Sequence, residues 1–441
     1  MEVKSLKKPK KLKLKKTEQL LRRAERVIPS STQTFSKGPS QWIRGVTPSY
    51  LTKGEGAWVW DVDDNKFLDY LMALGPIVLG YGNKNVEREV IKQLKDGLCF
   101  SQMHPLEVEV AELLVKKIPC AEMVRFGKNG SDVTTAAVRA ARAYTGRERV
   151  LFCGYHGWHD WYIGSTTRDS GVPQATKKLA SSFNYNDIDS LAALFKESNS
   201  DIACVIMEAV GVELPANNFL GDVKEITHNN GALLVFDEII NGCRVAVGGA
   251  QELEGVIPDL ACFGKALGNG FPISAIVGAG EIMEIFDQIF FSGTFGGETI
   301  SLAACKATID EIERLSVIEK NWDYGRNLTK IINGLIVKNN LEEDIKLVGY
   351  DVRSILTFPH EDELQSRIRR SFFMQESVKR GLLFYGVHLP TFAHQREELE
   401  FSEAVYGEVI ELFASLINKG GSSLVREHLE GPIIEPIFRK P

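Results

Sequence analysis

Three charged residues stand at the ends of three apolar runs: Glu208 after Cys204-Val205-Ile206-Met207, Asp237 after Leu233-Leu234-Val235-Phe236, and Lys265 after Cys262-Phe263-Gly264. An isolated buried charge is costly, so side chains in such places pair with one another or hold something charged. In an open sheet covered by helices the carboxyl ends of the strands border the ligand crevice, so the three are expected to converge. A lysine amine can condense with a carbonyl carbon, and a carboxylate can keep a ring nitrogen protonated.

A fourth feature is Gly127-Lys128-Asn129-Gly130-Ser131-Asp132, which runs into an Ala- and Arg-rich helix. Its small residues allow close backbone approach, Ser131 can cap, and the N–H groups of a helix start favour a phosphate. The phosphate-loop pattern GxxxxGK[ST] is absent, and no GxGxxG follows a strand, which disfavours nucleotide and dinucleotide cofactors. With the aromatic loop Tyr155-His156-Gly157-Trp158, these residues match the needs of pyridoxal 5'-phosphate (PLP). Its aldehyde calls for a lysine, as at Lys265, its ring nitrogen for a carboxylate, as at Asp237, its phosphate for an anion-binding helix start, and its ring for flat packing partners.

Plainer readings stand beside these. Either Asp237 or Glu238 is expected to be mostly solvated, since both cannot face one site. Arg244 can be an ordinary helix-surface charge, Lys128 a solvated neighbour of the helix start, and Thr294 a turn cap. His156 and His159 have an HxxH spacing, but no third ligand is evident, so no metal is expected.

These residues need a frame. Arg149 to Cys153, Ala203 to Met207, Ala232 to Phe236 and Leu260 to Phe263 are almost unbroken apolar runs, the pattern of strands buried on both faces. Helical spacing lies between them, at Val133 to Tyr144 and Val223 to Asn229. The expectation is an α/β fold whose large domain, residues 71–322, holds a mostly parallel sheet of about seven strands covered by helices. Residues 17–70 and 323–441 are expected to form a smaller α+β domain from both chain ends. The first predicts a helix from Thr17 to Val27 and a hairpin of Ala57 to Val62 with Lys66 to Leu71. The second predicts strands near Lys346, Val352 and Leu382 and a helix from Ser402 to Leu416.

Net charge is −6, but the first sixteen residues carry eight lysines against one glutamate, a local +7 that leaves −13 for the remainder. Residues 1–16 are therefore expected to be a solvated, frayed tail, and neither nucleic acid nor membrane is an expected partner. No apolar run is long enough to span a bilayer, and no signal-peptide pattern is found. Seven scattered cysteines, an odd number without CxxC pairing, predict buried thiols in a reducing, cytoplasmic setting.

The chain resembles the class III aminotransferases of fold type I, and among them most closely the glutamate-1-semialdehyde aminomutase group. The likeness is densest in Leu234-Val235-Phe236-Asp237-Glu238-Ile239, Gly242-Cys243-Arg244, Gly248-Gly249-Ala250-Gln251 and Pro258-Asp259-Leu260 through Lys265. The resemblance implies that Lys265 is the Schiff-base lysine, Asp237 the partner of the pyridine nitrogen, and Asn129, Gly130 and Ser131 the phosphate loop. It implies that Tyr155, beside His156 in the aromatic-His-Gly motif, stacks on one ring face while Ile239 packs on the other. Glu208 would lie near the phenolic side, and Thr294 would reach the phosphate of the neighbouring subunit, making the enzyme a homodimer with sites at the subunit interface.

The match departs from the aminomutases around the substrate. Where they carry a carboxylate-binding arginine, the segment Ser30 to Gly38 offers Lys37, and the two are not interchangeable at a bidentate site. The segment around His388 is shorter than its counterpart, a Gln-Phe-Glu stretch is missing, and Glu298-Thr299 replaces an Asn-Pro pair. Lys37 and His388 are the candidate substrate residues. The expected activity is transfer of an amino group from an amino acid, glutamate by family habit, to a carbonyl acceptor such as a keto-sugar or other polar metabolite. An aminomutase is the alternative, and a non-catalytic binding protein of the same fold the second.

Overall fold

The computed structural model describes residue 9, residues 11–198 and residues 200–435. They form two compact units. One holds the described residues up to Leu74, Gly80–Gly82 and those from Glu319 to Glu435; the other holds Gly75–Leu79 and the described residues of Asn83–Ile318.

In the first unit, a helix at Lys15–Val27 buries Thr17, Leu21 and Ala24 on one side and ends where Ile28 turns extended before Pro29. Strands β1 (Leu51–Glu55), β2 (Trp58–Asp61) and β3 (Lys66–Asp69) follow, each antiparallel to the next. The expected hairpin is thus the centre of a larger sheet, in the order β1-β2-β3 and then Leu382–Leu383 parallel to β3. β1 escaped notice because Leu-Thr-Lys-Gly-Glu is mostly exposed and shows no apolar alternation. Trp42, Ile43, Val59, Phe67, Met374 and Val378 form the core beside it.

Residues 1–8 and 10 of the lysine-rich tail lie outside the described residues. From Lys13 the tail is held rather than frayed. The Asn65 amide donates to the Lys13 carbonyl at 2.7 Å, and the Asp63 carboxylate accepts from the N–H groups of Lys16 and Thr17, both at 2.8 Å.

The second unit is built on seven strands. They are β4 (Met123–Gly127), β5 (Arg149–Cys153), β6 (Ala180–Ser182), β7 (Ile202–Met207), β8 (Leu233–Asp237), β9 (Leu260–Phe263) and β10 (Ser274–Gly278), in the spatial order β4-β10-β9-β8-β7-β5-β6. All pairs are parallel except the two made by β10, which runs against both β4 and β9. β7 and β8 are buried at every residue. The helix Gly130–Thr145 lays Val133, Ala136, Ala137, Ala140 and Ala141 into the same core as Ile206, Val235, Cys262 and Ile276. Each Val or Ile buried this way stabilises the unit by roughly 1.5–3 kcal/mol. Alanine is the best helix former and brings the helix axis close to the sheet.

Three consecutive non-glycine residues, Met72, Ala73 and Leu74, take left-handed backbone angles (φ 46°, 58° and 75°). Each costs about 1–2 kcal/mol in that region. The Asp69 carboxylate offsets part of this by accepting from the N–H groups of Leu71 (2.8 Å) and Met72 (3.1 Å). Just beyond, Arg244 corrects a sequence expectation. It is no surface charge but is fully buried, donating through Nη2 to the carbonyls of Gly75 (2.9 Å) and Ile77 (3.3 Å).

The chain continues through β11 (Lys346–Tyr350) and β12 (Arg353–Thr357), the β13 pair Leu382–Leu383 and β14 (Val387–His388). β11, β12 and β14 form a small antiparallel sheet. Helices at Glu363–Lys379 and Arg396–Glu427 complete the first unit.

Candidate active site

Asp237 ends β8 and pairs in register with Cys262 of the parallel neighbour β9, three residues before Lys265. Glu208 follows β7, whose Met207 faces Phe236. Parallel packing therefore delivers the three charged residues to one end of the sheet.

The loop after β5 crosses that end. The His156 Nδ1 lies 2.9 Å from Asp237 Oδ2, with side-chain exposures of 0% and 5%. His156 Nε2 is 3.1 Å from the Cys153 carbonyl. A carbonyl only accepts, so Nε2 donates to it, which turns Nδ1 toward Asp237. The other Asp237 oxygen accepts from the Ile239 N–H at 3.1 Å. Tyr155 donates its N–H to Glu208 Oε1 at 3.3 Å, and its ring stands edge-on to Tyr162. Burial, with the Asp237 charge behind it, raises the Tyr155 hydroxyl above its ordinary range.

The same loop is clamped to the helix start. Thr134 Oγ1 donates to the His156 carbonyl at 2.8 Å, and Trp158 donates its N–H to Ser131 Oγ at 3.2 Å. Gly157 has φ +106°, and a Cβ there would come within 2.3 Å of Ser131 Oγ, so only glycine fits. Asp132 closes the turn from the other side, accepting from the N–H groups of Lys128 (3.0 Å) and Asn129 (2.8 Å).

Ile239 joins the remaining pieces. A Cβ added at Gly130 would meet Ile239 Cδ1 at 3.2 Å, and one added at Gly264 would meet the same atom at 3.1 Å. The helix start, the strand-end carboxylate and the residue preceding Lys265 therefore surround one side chain. Lys265 itself is half-buried with φ +44°, a strained value for a side-chain-bearing residue. Thr294 lies on an exposed turn.

Several expectations need correction here. Glu238 is not solvated: it is as buried as Asp237, because successive strand residues point to opposite faces. Its carboxylate turns to the N–H groups of Ala250 and Gln251, each at 2.9 Å, and burial pushes it up to about 7. Lys128 is not a free solvated neighbour but pairs with Glu298 at 3.0 Å. Cys99 is exposed and Cys153 half-buried, while the other five thiols are buried. His159 shares a hydrogen bond with Thr135 at 2.8 Å, away from the ring partner of His156.

Lys37 and His388 belong to the first unit. Lys37 is exposed on a short 3-10 turn, Phe35–Lys37. His388 cannot serve as a substrate contact as placed: it is fully buried, and its nitrogens meet Ser354 Oγ (3.1 Å) and Tyr406 OH (2.6 Å). Burial lowers its pKa to about 3. The unfolded chain binds a proton below about 6.5 that the folded one refuses until about 3, so His388 favours folding above that window and less as pH falls through it. Melting temperature is expected to fall across the window, with a contribution of about 1.4 kcal/mol per pH unit. A His388→Gln chain whose acid limb is as steep as the parent's would disprove the assignment.

Glu298, Glu238 and Arg244 were visible as residues, but nothing beside them signals the partners Lys128, Ala250 with Gln251, and the carbonyls of Gly75 and Ile77.

Residues 43–416 match the aminotransferase class-III family. The chain belongs to that family. It is 34% identical over 374 residues to a 3-aminobutyryl-CoA aminotransferase of Cloacimonas acidaminovorans, covering 83% of this chain and 89% of that one. It is 38% identical over 362 residues to a glutamate-1-semialdehyde 2,1-aminomutase of Methanothrix thermoacetophila, covering 78% and 80%. Among solved structures, the FumI protein of Sphingopyxis sp. MTA144 in a PLP form is 26% identical, with TM-score 0.85 over 93% of this chain and 100% of that one. That solved structure shares the fold described above, a large helix-covered, mostly parallel sheet with a smaller α/β unit.

Proposed function

We propose that this class III member uses PLP to move an amino group from an amino acid donor, glutamate, to the carbonyl of a polar acceptor such as a keto-sugar. The observation that carries the cofactor assignment is Ile239, seated between Gly130 and Gly264 with Asp237 two residues behind it. The donor set fits the group: a half-buried amine for the aldehyde, a carboxylate with 5% exposure for the ring nitrogen, and helix-start N–H groups for the phosphate. When bound, the cofactor supplies an electron sink for the charge left at the substrate carbon. Lys265 would hold the aldehyde carbon, and its amine would move a proton to and from the substrate carbon. Asp237 keeps a proton at the ring nitrogen, and His156 fixes the Asp237 carboxylate in place. Tyr155 and Ile239 flank the ring, and Glu208 orients the loop that carries Tyr155.

Transfer is favoured over the aminomutase reading by Lys37, which stands where the resemblance expects a bidentate arginine for a small acidic substrate. The aminomutase relatives keep the second reading in view. A homodimer with Thr294 reaching the partner's phosphate is supported by exposed apolar side chains on the same unit, Phe290 at 80%, Phe295 at 57% and Met103 at 82%. Unpaired cysteines favour a cytoplasmic setting, and no helix of the described residues is long and apolar enough to cross a membrane.

The test is a screen of carbonyl acceptors against the protein loaded with PLP and pre-treated with glutamate. Amination of a polar acceptor, with glutamate-1-semialdehyde turned over slowly or not at all, is the expected result. Rapid turnover of that semialdehyde would overturn the transferase reading.

A further inference from the structure

The Lys128–Glu298 pair ties together two segments that lie 170 residues apart in the chain. Both side chains are largely withdrawn from water, with exposures of 19% and 11%, so the pair is screened far less than a surface bridge. Lys128 is held at both ends: its N–H by Asp132 at 3.0 Å and its ammonium by Glu298 at 3.0 Å. It immediately precedes Asn129, Gly130 and Ser131.

Glu298 has two further attachments. Its carboxylate caps the helix Thr299–Arg314, accepting from the Ile300 N–H (2.7 Å), the Ser301 N–H (3.2 Å) and the Ser301 hydroxyl (2.6 Å). Its own N–H donates to the Phe295 carbonyl at 3.2 Å, closing the turn that directly follows Thr294. Burial alone would raise this carboxyl, but the bonds from Ser301 and Lys128 outweigh it and leave Glu298 below its ordinary range. It therefore stays ionised at neutral pH, when Lys128 needs it.

We propose that Glu298 is a positioning residue for the cofactor's phosphate: through Lys128 it fixes the helix start at Asn129–Ser131, and through its own backbone it fixes the turn that directly follows Thr294. Glu298 does not touch the phosphate. It commits the Lys128 ammonium to protein, so the cradle acts through backbone N–H groups, and it sets the spacing between both phosphate-side segments. This inference rests on the reading that the helix start takes a phosphate.

The discriminating probe is pyridoxal, which keeps the aldehyde and ring but lacks the phosphate. Binding of PLP and of pyridoxal to the full-length chain is measured by absorbance titration for the parent, Glu298→Gln and Lys128→Met. Lys128→Met leaves the helix cap intact, so it reports on the pair even if the cap variant folds poorly. Each variant is expected to bind PLP about tenfold more weakly, as for the loss of a partly buried charged hydrogen bond, and pyridoxal within about twofold of the parent. The double variant is expected to lose no more than the worse single one. Equal weakening for both compounds, or none for either, overturns the role of Glu298. A parent chain that binds pyridoxal as tightly as PLP overturns the phosphate reading itself.

Discussion

A Lys265→Ala chain is expected to fold normally, to lose turnover by about 10⁴-fold or more, and to release its cofactor on dialysis. The side chain sits at the carboxyl end of β9 in a half-buried position, with no part in the apolar core, so its loss leaves the sheet intact. On the proposed roles, the substitution removes both the covalent anchor and the base. Treating the parent with borohydride should fix PLP to the peptide containing Lys265, and the variant should yield no labelled peptide. A variant that still acquires the label, or keeps turnover within about tenfold, would refute the assignment.

The second large effect concerns Asp237. Asp237→Asn preserves the volume of the side chain and leaves His156 a polar neighbour, but removes the negative charge from a site with 5% exposure, where charge interactions are strong. Turnover is expected to fall roughly 10³-fold, comparable to removing an electrostatic partner of a developing charge in other enzymes. Cofactor attachment to Lys265 should survive, which separates this defect from the lysine's. Asp237→Glu restores charge but not reach, and should recover only part of the loss. An asparagine variant within about tenfold of the parent would mean that the ring nitrogen has another partner.

The sequence reading found the framework where hydrophobic pattern is strong. β5, β7, β8 and β9 are buried on both faces, so their apolar runs are nearly continuous and their ends easy to place. β6, with the sequence Ala-Ser-Ser, and β1 lie at sheet edges, where half-exposed polar residues carry little pattern. In the site, residue types at strand ends pointed to Lys265 and Asp237, and the Gly-rich turn to Ser131. Contacts made over long separations stayed hidden. Nothing near Arg244 reveals that its guanidinium serves carbonyls 167 and 169 residues earlier, and nothing near Glu238 announces the two N–H groups that let it be buried beside Asp237. The Lys128–Glu298 pair belongs to the same class.

The pairing of β4 with β10 bears on how the molecule is made. β4 has no other neighbour in the sheet, and β10 follows it by about 150 residues, so at about 5–20 residues per second a nascent chain waits on the order of 10–30 s between the two. Throughout that interval Met123–Gly127 emerges with both its edges unpaired, next to the helix that must later cover β9. Synthesis of this enzyme thus includes a period in which the segment leading into Asn129–Ser131 lacks its only strand partner. Synonymous replacement of codons before Ser274 by rare ones, which delays β10 without altering a single residue, is expected to reduce the yield of folded protein.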